Sequence, residues 1–143
     1  GANGGMHTNY EGKTEAALNA VLEDGYDFAY IHVEAPDEMG HQGSVEKKVQ
    51  AIEYLDGRVL KPLTERLDAK GTDYRLLILP DHPTPIRVRT HTADSVPYLL
   101  YDSTSPLEGK GDYNEAAGRE SGNYVAEGYR LIERLFQKQR NCL

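Results

Sequence analysis

Cysteine is almost missing from this chain: Cys142, close to the C-terminal end, is the single one among 143 residues. An internal disulfide is therefore excluded, and a terminal position is poor for a catalytic thiol. The setting this favours is reducing and cytoplasmic. Long apolar runs are missing too, since no stretch approaches the roughly 20 residues that a membrane-spanning helix needs. Residues 1–5 carry neither a basic patch nor an apolar run, so a signal peptide is not expected. Without an initiating Met, the chain is expected to be a processed or truncated piece. Positive charge is also in short supply. Sixteen Lys and Arg against 23 Asp and Glu leave a net charge of −7, which argues against nucleic acid as the main partner. An acidic chain still accepts an anionic substrate when a metal ion sits between them. Internal repeats and low-complexity runs do not occur.

What is present suits one compact domain over residues 1–143, with 38% hydrophobic and 27% charged residues. Residues 14–22 read as a helix. A first strand is expected over 27–34 (DFAYIHVE), dense in β-branched and aromatic side chains. A helix follows over 44–67, with Val49, Ile52, Leu55, Val59, Leu60 and Leu63 at helical spacing, Ser44 as N-cap and Pro62 able to kink or divide it. The near-continuous apolar run 74–80 (YRLLILP) reads as a buried parallel strand, and 96–101 as a third strand. Residues 104–118 read as a loop. A last helix over 121–137 would pack Tyr124, Val125, Tyr129, Ile132, Leu135 and Phe136 into the core. This order points to an α/β layered fold with a mostly parallel sheet flanked by helices, with ligands gathering beyond the C-terminal strand ends.

The chemistry lies at those ends. The first strand leads into Asp37-Glu38-Met39-Gly40-His41, the second into Asp81-His82, and a nearby loop adds Thr90-His91-Thr92. Carboxylate oxygen mixed with imidazole nitrogen suits a divalent ion such as zinc or manganese. Asp37 and His41 are four apart, so one helical turn aims both at one ion. Asp81 and His82, being adjacent, need a tight turn at Pro83 to converge, or else they serve two ions. Taken singly, His41, His82 or His91 reads as a surface histidine; together, beside two Asp, they read as ligands. His32 reads as a packed or hydrogen-bonded core group and His7 as solvated. Glu34 and Glu38 read as outlying or solvated carboxylates. Arg87 and Arg89, between the ligand groups, are either a solvated loop face or an anion clamp.

VEAPDEMGHQG, LPDHPTPIRVRTHT and VPYLLYDS together resemble the C-terminal region of the archaeal-type cofactor-independent phosphoglycerate mutases, within the alkaline phosphatase superfamily. The resemblance runs from about His7 to Tyr101 and continues more weakly in the last helix. It implies two divalent ions, manganese or zinc with magnesium as a third candidate, and no 2,3-bisphosphoglycerate. Asp37, His41 and His91 match the ligands of one ion, while Asp81 and His82 match two ligands of the other. The family's further Asp and its phosphorylated Ser have no counterpart in this chain, so the fold is expected to be incomplete and the chain inactive alone. The implied reaction interconverts 3-phosphoglycerate and 2-phosphoglycerate through a phospho-serine, with the metals about 4 Å apart. The implied partners are a phosphoglycerate substrate and the rest of the parent enzyme, with Arg87 and Arg89 as candidate substrate contacts. Alternatives are a phosphopentomutase or metal-dependent phosphatase of the same superfamily, or a non-catalytic metal-binding piece. Self-association through uncovered apolar surface is also expected.

Overall fold

The computed structural model describes residues 2–107, 109 and 111–137, in two compact units. Residues 1–72 and 83–93 form the first, and residues 73–82 and 94–143 the second. Cys142 lies outside the described residues.

Four helices build the first unit: α1 (Tyr10–Leu22), α2 (Ala35–His41), α3 (Val45–Leu55) and α4 (Lys61–Lys70). Helix α1 starts four residues earlier than the apolar spacing alone suggests, because Asn9 caps it. The Asn9 Oδ1 accepts the Gly12 N–H at 2.9 Å. Ser44 caps α3 in the same way, accepting the Lys47 N–H at 3.4 Å.

Pro62 does divide the expected long helix, and the structure explains how. Proline has no N–H, and its ring displaces the carbonyl four residues back, that of Arg58. The chain answers with a π turn at Asp56–Leu60, in which the Lys61 N–H reaches the Asp56 carbonyl. The Arg58 carbonyl then lies 3.3 Å from Thr14 Oγ1 on α1, whose single proton it shares with the Tyr10 carbonyl at 3.0 Å. Arg58 itself lies over the rings of Tyr10 and Tyr54, at 4.6 and 4.9 Å, and pairs with Glu11 through its Nε at 2.6 Å. Gly71, at φ 64°, closes α4 in the left-handed conformation that an L side chain rarely adopts.

The core of this unit is Tyr10, Ala35, Met39, Ala51 and Val59, with Met6, Ile31, Val33, Tyr54 and Leu55 against it. Two expectations are corrected here. Val49 and Ile52 are exposed, because α3 buries the face that carries Ala51 instead. Residues 27–34 are extended but form no strand, since strand propensity yields a ladder only where another strand offers its N–H and C=O groups. Their aromatic side chains stay in solvent, with Phe28 41% and Tyr30 74% exposed.

In the second unit, β1 (Arg75–Ile78) pairs with β2 (Leu99–Asp102) in the register Arg75↔Asp102 to Ile78↔Leu99. The mixture of helix and strand agrees with an α/β chain. The one pairing among the described residues, however, is antiparallel rather than parallel. Arg75 locks the register: its Nε donates to Asp102 Oδ2 at 2.6 Å, and its Nη1 donates to the Leu135 carbonyl at 3.2 Å. Helix α5 (Glu115–Glu120) falls partly in the segment read as a loop; Asn114 caps it by accepting the Ala117 N–H at 2.9 Å.

Helix α6 covers only Leu131–Phe136, after a 3₁₀ turn at Gly128–Arg130. The longer helix over 121–137 is not formed, since Gly122 takes φ 70° and helical structure resumes only at Gly128. Of its expected core stripe, Tyr124, Tyr129, Ile132 and Phe136 are exposed, and it is Leu131 that is buried.

Candidate metal centre

Helix α2 places two candidate ligands by its period alone. Pro36 sits in the first turn, where its missing N–H costs nothing and its fixed φ favours a helix. Asp37 follows in the first turn and His41 in the last, an arrangement that also suits the helix dipole. The i,i+4 spacing brings His41 Nε2 to 3.3 Å from Asp37 Oδ2.

The loop 83–93 supplies the third. His91 Nε2 lies 3.3 Å from Asp37 Oδ1 and 3.2 Å from His41 Nε2. The side chains stay partly open to solvent, Asp37 28% and His91 50% exposed, so a small ion or substrate group can reach them.

The tautomer of His41 follows from its other nitrogen. Its Nδ1 is 2.9 Å from the Arg89 carbonyl, which only accepts, so Nδ1 carries the proton and donates. The Nε2 lone pair is thereby turned toward Asp37 and His91, as a metal ligand requires. Arg89 makes this contact from a left-handed backbone, φ 58°, which costs a non-glycine residue about 1–2 kcal/mol. The turn holds it there: the Pro85 carbonyl accepts the Val88 and Arg89 N–H groups at 2.9 and 2.8 Å. The Arg89 guanidinium packs against Gly43, into space that a Cβ there would fill.

Asp37 has a further partner. Thr84 Oγ1 donates to Asp37 Oδ1, and the Thr84 carbonyl accepts from Lys48 Nζ at 2.7 Å. A Cβ on Gly40 would stand 2.6 Å from that carbonyl, so a glycine is required for α2 to approach the loop.

Three donor atoms around one tetrahedral ion at bonds of about 2.0–2.1 Å lie about 3.3 Å from one another. Here the two imidazole nitrogens are 3.2 Å apart, and each lies 3.3 Å from a different oxygen of Asp37, Oδ2 for His41 and Oδ1 for His91, so the carboxylate faces both rings. A carboxylate and two imidazoles at those spacings fit a divalent ion of the zinc or manganese type.

In the second unit, Asp81 and His82 converge, as the turn before Pro83 was expected to allow. His82 Nε2 lies 3.3 Å from Asp81 Oδ2, and the His82 N–H donates to Asp81 Oδ1 at 3.1 Å. Arg87 and Arg89 are exposed on the loop of the first unit. His32 is exposed rather than packed in the core; its Nδ1 is 3.4 Å from the Tyr30 hydroxyl and its Nε2 3.7 Å from Glu34. Sequence reasoning missed Thr84, Lys48 and the Arg89 carbonyl. The signal for Thr84 was the Pro-Thr-Pro run, which fixes the backbone on both sides of one hydroxyl.

A carboxylate–imidazole cluster on a short helix and a facing loop is a candidate metal centre. The profile of the Metalloenzyme superfamily matches residues 2–122, and the chain belongs to that superfamily. It is 45% identical over 139 residues to a probable 2,3-bisphosphoglycerate-independent phosphoglycerate mutase of Geobacter sulfurreducens, covering 96% of this chain and 34% of the relative. It is 44% identical over 135 residues to the 2,3-bisphosphoglycerate-independent phosphoglycerate mutase of Methanothrix thermoacetophila, covering 94% and 34%. The solved structure of the PH0037 protein from Pyrococcus horikoshii superposes with a TM-score of 0.73 at 28% identity, over 84% of this chain and 35% of that one. The chain therefore spans about a third of the length of the curated relatives it matches.

Proposed function

We propose that this chain is the metal-binding C-terminal part of a cofactor-independent phosphoglycerate mutase, and that residues 1–143 lack the nucleophile-bearing part and the inserted substrate domain. Asp37, His41 and His91 hold one divalent ion, and Asp81 with His82 contributes to a second. The observation that carries the reading is the convergence of Asp37, His41 and His91 at 3.2–3.3 Å with the His41 Nε2 lone pair facing inward. The names of the relatives supply the reaction. Manganese or zinc suits the donor set best, with magnesium third. The absence of a cysteine pair supports a cytoplasmic setting.

A bound divalent ion supplies Lewis-acid stabilisation of the negative charge on a transferring phosphoryl group. The residues of this chain prepare for that. Asp37 lowers the net positive charge of the centre, and Arg89 fixes the His41 tautomer through its carbonyl. Arg87 and Arg89 are the candidate anion contacts, since guanidinium forks match carboxylate and phosphate. The nucleophilic serine comes from the remaining residues, so the chain alone does not turn over substrate. The exposed Tyr26, Phe28, Tyr30, Val45, Val49 and Ile52 support self-association of the chain, and a strictly monomeric mass in light scattering contradicts it.

The test supplies 3-phosphoglycerate or a pentose phosphate to the protein in which this chain is joined to the remaining length of its relatives. Phosphorus NMR should show 2-phosphoglycerate, lost on chelation and with His41→Ala. Turnover of the pentose phosphate alone, or release of inorganic phosphate, contradicts the mutase reading.

A further inference from the structure

We infer that Thr84 is a positioning residue of the metal centre, its hydroxyl fixing the rotation of the Asp37 carboxylate from the side of the loop. This rests on the Asp37–His41–His91 reading above and adds a residue that acts through a ligand rather than as one. Thr84 is 4% exposed, so its hydroxyl cannot trade partners with solvent. Its neighbours Pro83 and Pro85 restrict the backbone on both sides: each ring fixes its own φ, and Pro85 confines Thr84 to extended conformations.

Both ends of the residue are then tied to different helices. Oγ1 donates to Asp37 Oδ1 on α2, while the carbonyl accepts from Lys48 Nζ on α3 at 2.7 Å. The methyl group faces Gly40, where a Cβ would stand 3.0 Å from Thr84 Cγ2. Hydroxyl toward the carboxylate and methyl toward the glycine is an orientation that threonine alone provides in full. Serine keeps the first contact and valine the second. An ionised carboxylate only accepts hydrogen bonds, so the Thr84 proton has one direction, and the carboxylate cannot spin without losing it. Partners of this kind typically alter metal affinity by about 10–100-fold when removed.

The experiment titrates the 143-residue chain with cobalt(II), read by visible absorption, and with manganese(II), read by calorimetry. Wild type, Thr84→Val, Thr84→Ser and Asp37→Ala are compared. Thr84→Val should weaken binding by about 10–100-fold and alter the cobalt spectrum, because the carboxylate loses its fixed orientation. Thr84→Ser should recover most of the affinity and the wild-type spectrum. Wild-type affinity and spectrum in Thr84→Val overturn the inference, as does a Ser variant as weak as the Val variant. If Thr84→Val fails to fold, Lys48→Met carries the test: it frees the Thr84 carbonyl and should weaken cobalt binding, and unchanged binding overturns the inference. Metal bound by wild type and lost in Asp37→Ala, with Thr84→Val unaffected, sinks the positioning role alone. No metal bound by wild type sinks the centre and the positioning role together.

Discussion

Gly40→Ala separates local helix preference from the packing that builds the centre. Residue 40 is in helix α2, where replacing glycine by alanine gains about 0.5–1 kcal/mol. Against that gain stands the Thr84 carbonyl, 2.6 Å from the new Cβ, with Lys48 Nζ at 3.1 Å. The lysine end can swing aside, but the carbonyl belongs to a backbone flanked by two prolines. Helix α2 must therefore move away by several tenths of an ångström or more, at an overpacking cost of about 1–3 kcal/mol. The clash wins, leaving a net loss of about 1–2 kcal/mol and a melting temperature lower by about 3–8 °C. Asp37 and His41 ride on the same helix, so metal binding should weaken as well. Gly57→Ala is the control. It lies in the π turn with no neighbouring atom within 4 Å of its added Cβ, so only the helix preference acts and stability should rise by about 0.5–1 kcal/mol. Thermal unfolding followed by circular dichroism checks both. A Gly40→Ala chain that melts at or above wild type, or a Gly57→Ala chain that melts lower, refutes the reasoning.

Thr14→Val keeps the volume of a buried side chain but removes the hydroxyl placed between the Tyr10 and Arg58 carbonyls, so urea unfolding should report a loss of about 1–2 kcal/mol. Tyr113 is 47% exposed, but its hydroxyl is turned inward between the Ile78 and Pro97 carbonyls at 3.3 and 3.2 Å, and burial there pushes its pKa up to about 12. A neutral phenol held neutral contributes stability that is complete below the ordinary tyrosine pKa of about 10 and fades as pH climbs toward the folded value. Tyr10 and Tyr129 are also raised, the first by burial and the second by its hydrogen bond to Glu127, so phenolate absorbance should lose one late-titrating tyrosine in Tyr113→Phe and keep the others. Asp102 behaves in the opposite sense: the Thr104 hydroxyl and Arg75 hold its carboxyl below the usual range. Its contribution is complete above the unfolded pKa of about 3.9 and is lost as pH falls through the lower folded value, so Asp102→Asn should flatten the acid limb of the stability profile.

The candidate site was more legible in the sequence than the fold around it. The Asp37–His41 spacing is a local property of one helical turn, and four residues apart means one face whatever the tertiary packing. The turn at Pro83 that joins Asp81 to His82 is equally local. The strand expected at 27–34 depended on a distant partner, and propensity carries no information about whether one is present. The same limit applies to α3, where apolar spacing marked Val49 and Ile52 but the packed face carries Ala51. Residues 121–137 failed for a nearer reason, since the left-handed Gly122 interrupts a stripe that looked continuous when only its apolar members were read. Thr84 escaped because a hydroxyl gains meaning only from the carboxylate it faces, and Asp37 stands 47 positions away.

The central claim is that Asp37, His41 and His91 form a centre for a divalent ion. Calorimetric titration of the chain with manganese and zinc, beside a His41→Ala, His91→Ala double variant, tests it most directly. Tight binding by the wild type that disappears in a folded double variant is the predicted result. A wild-type chain that binds neither ion, or a double variant that binds as well as wild type, contradicts the account.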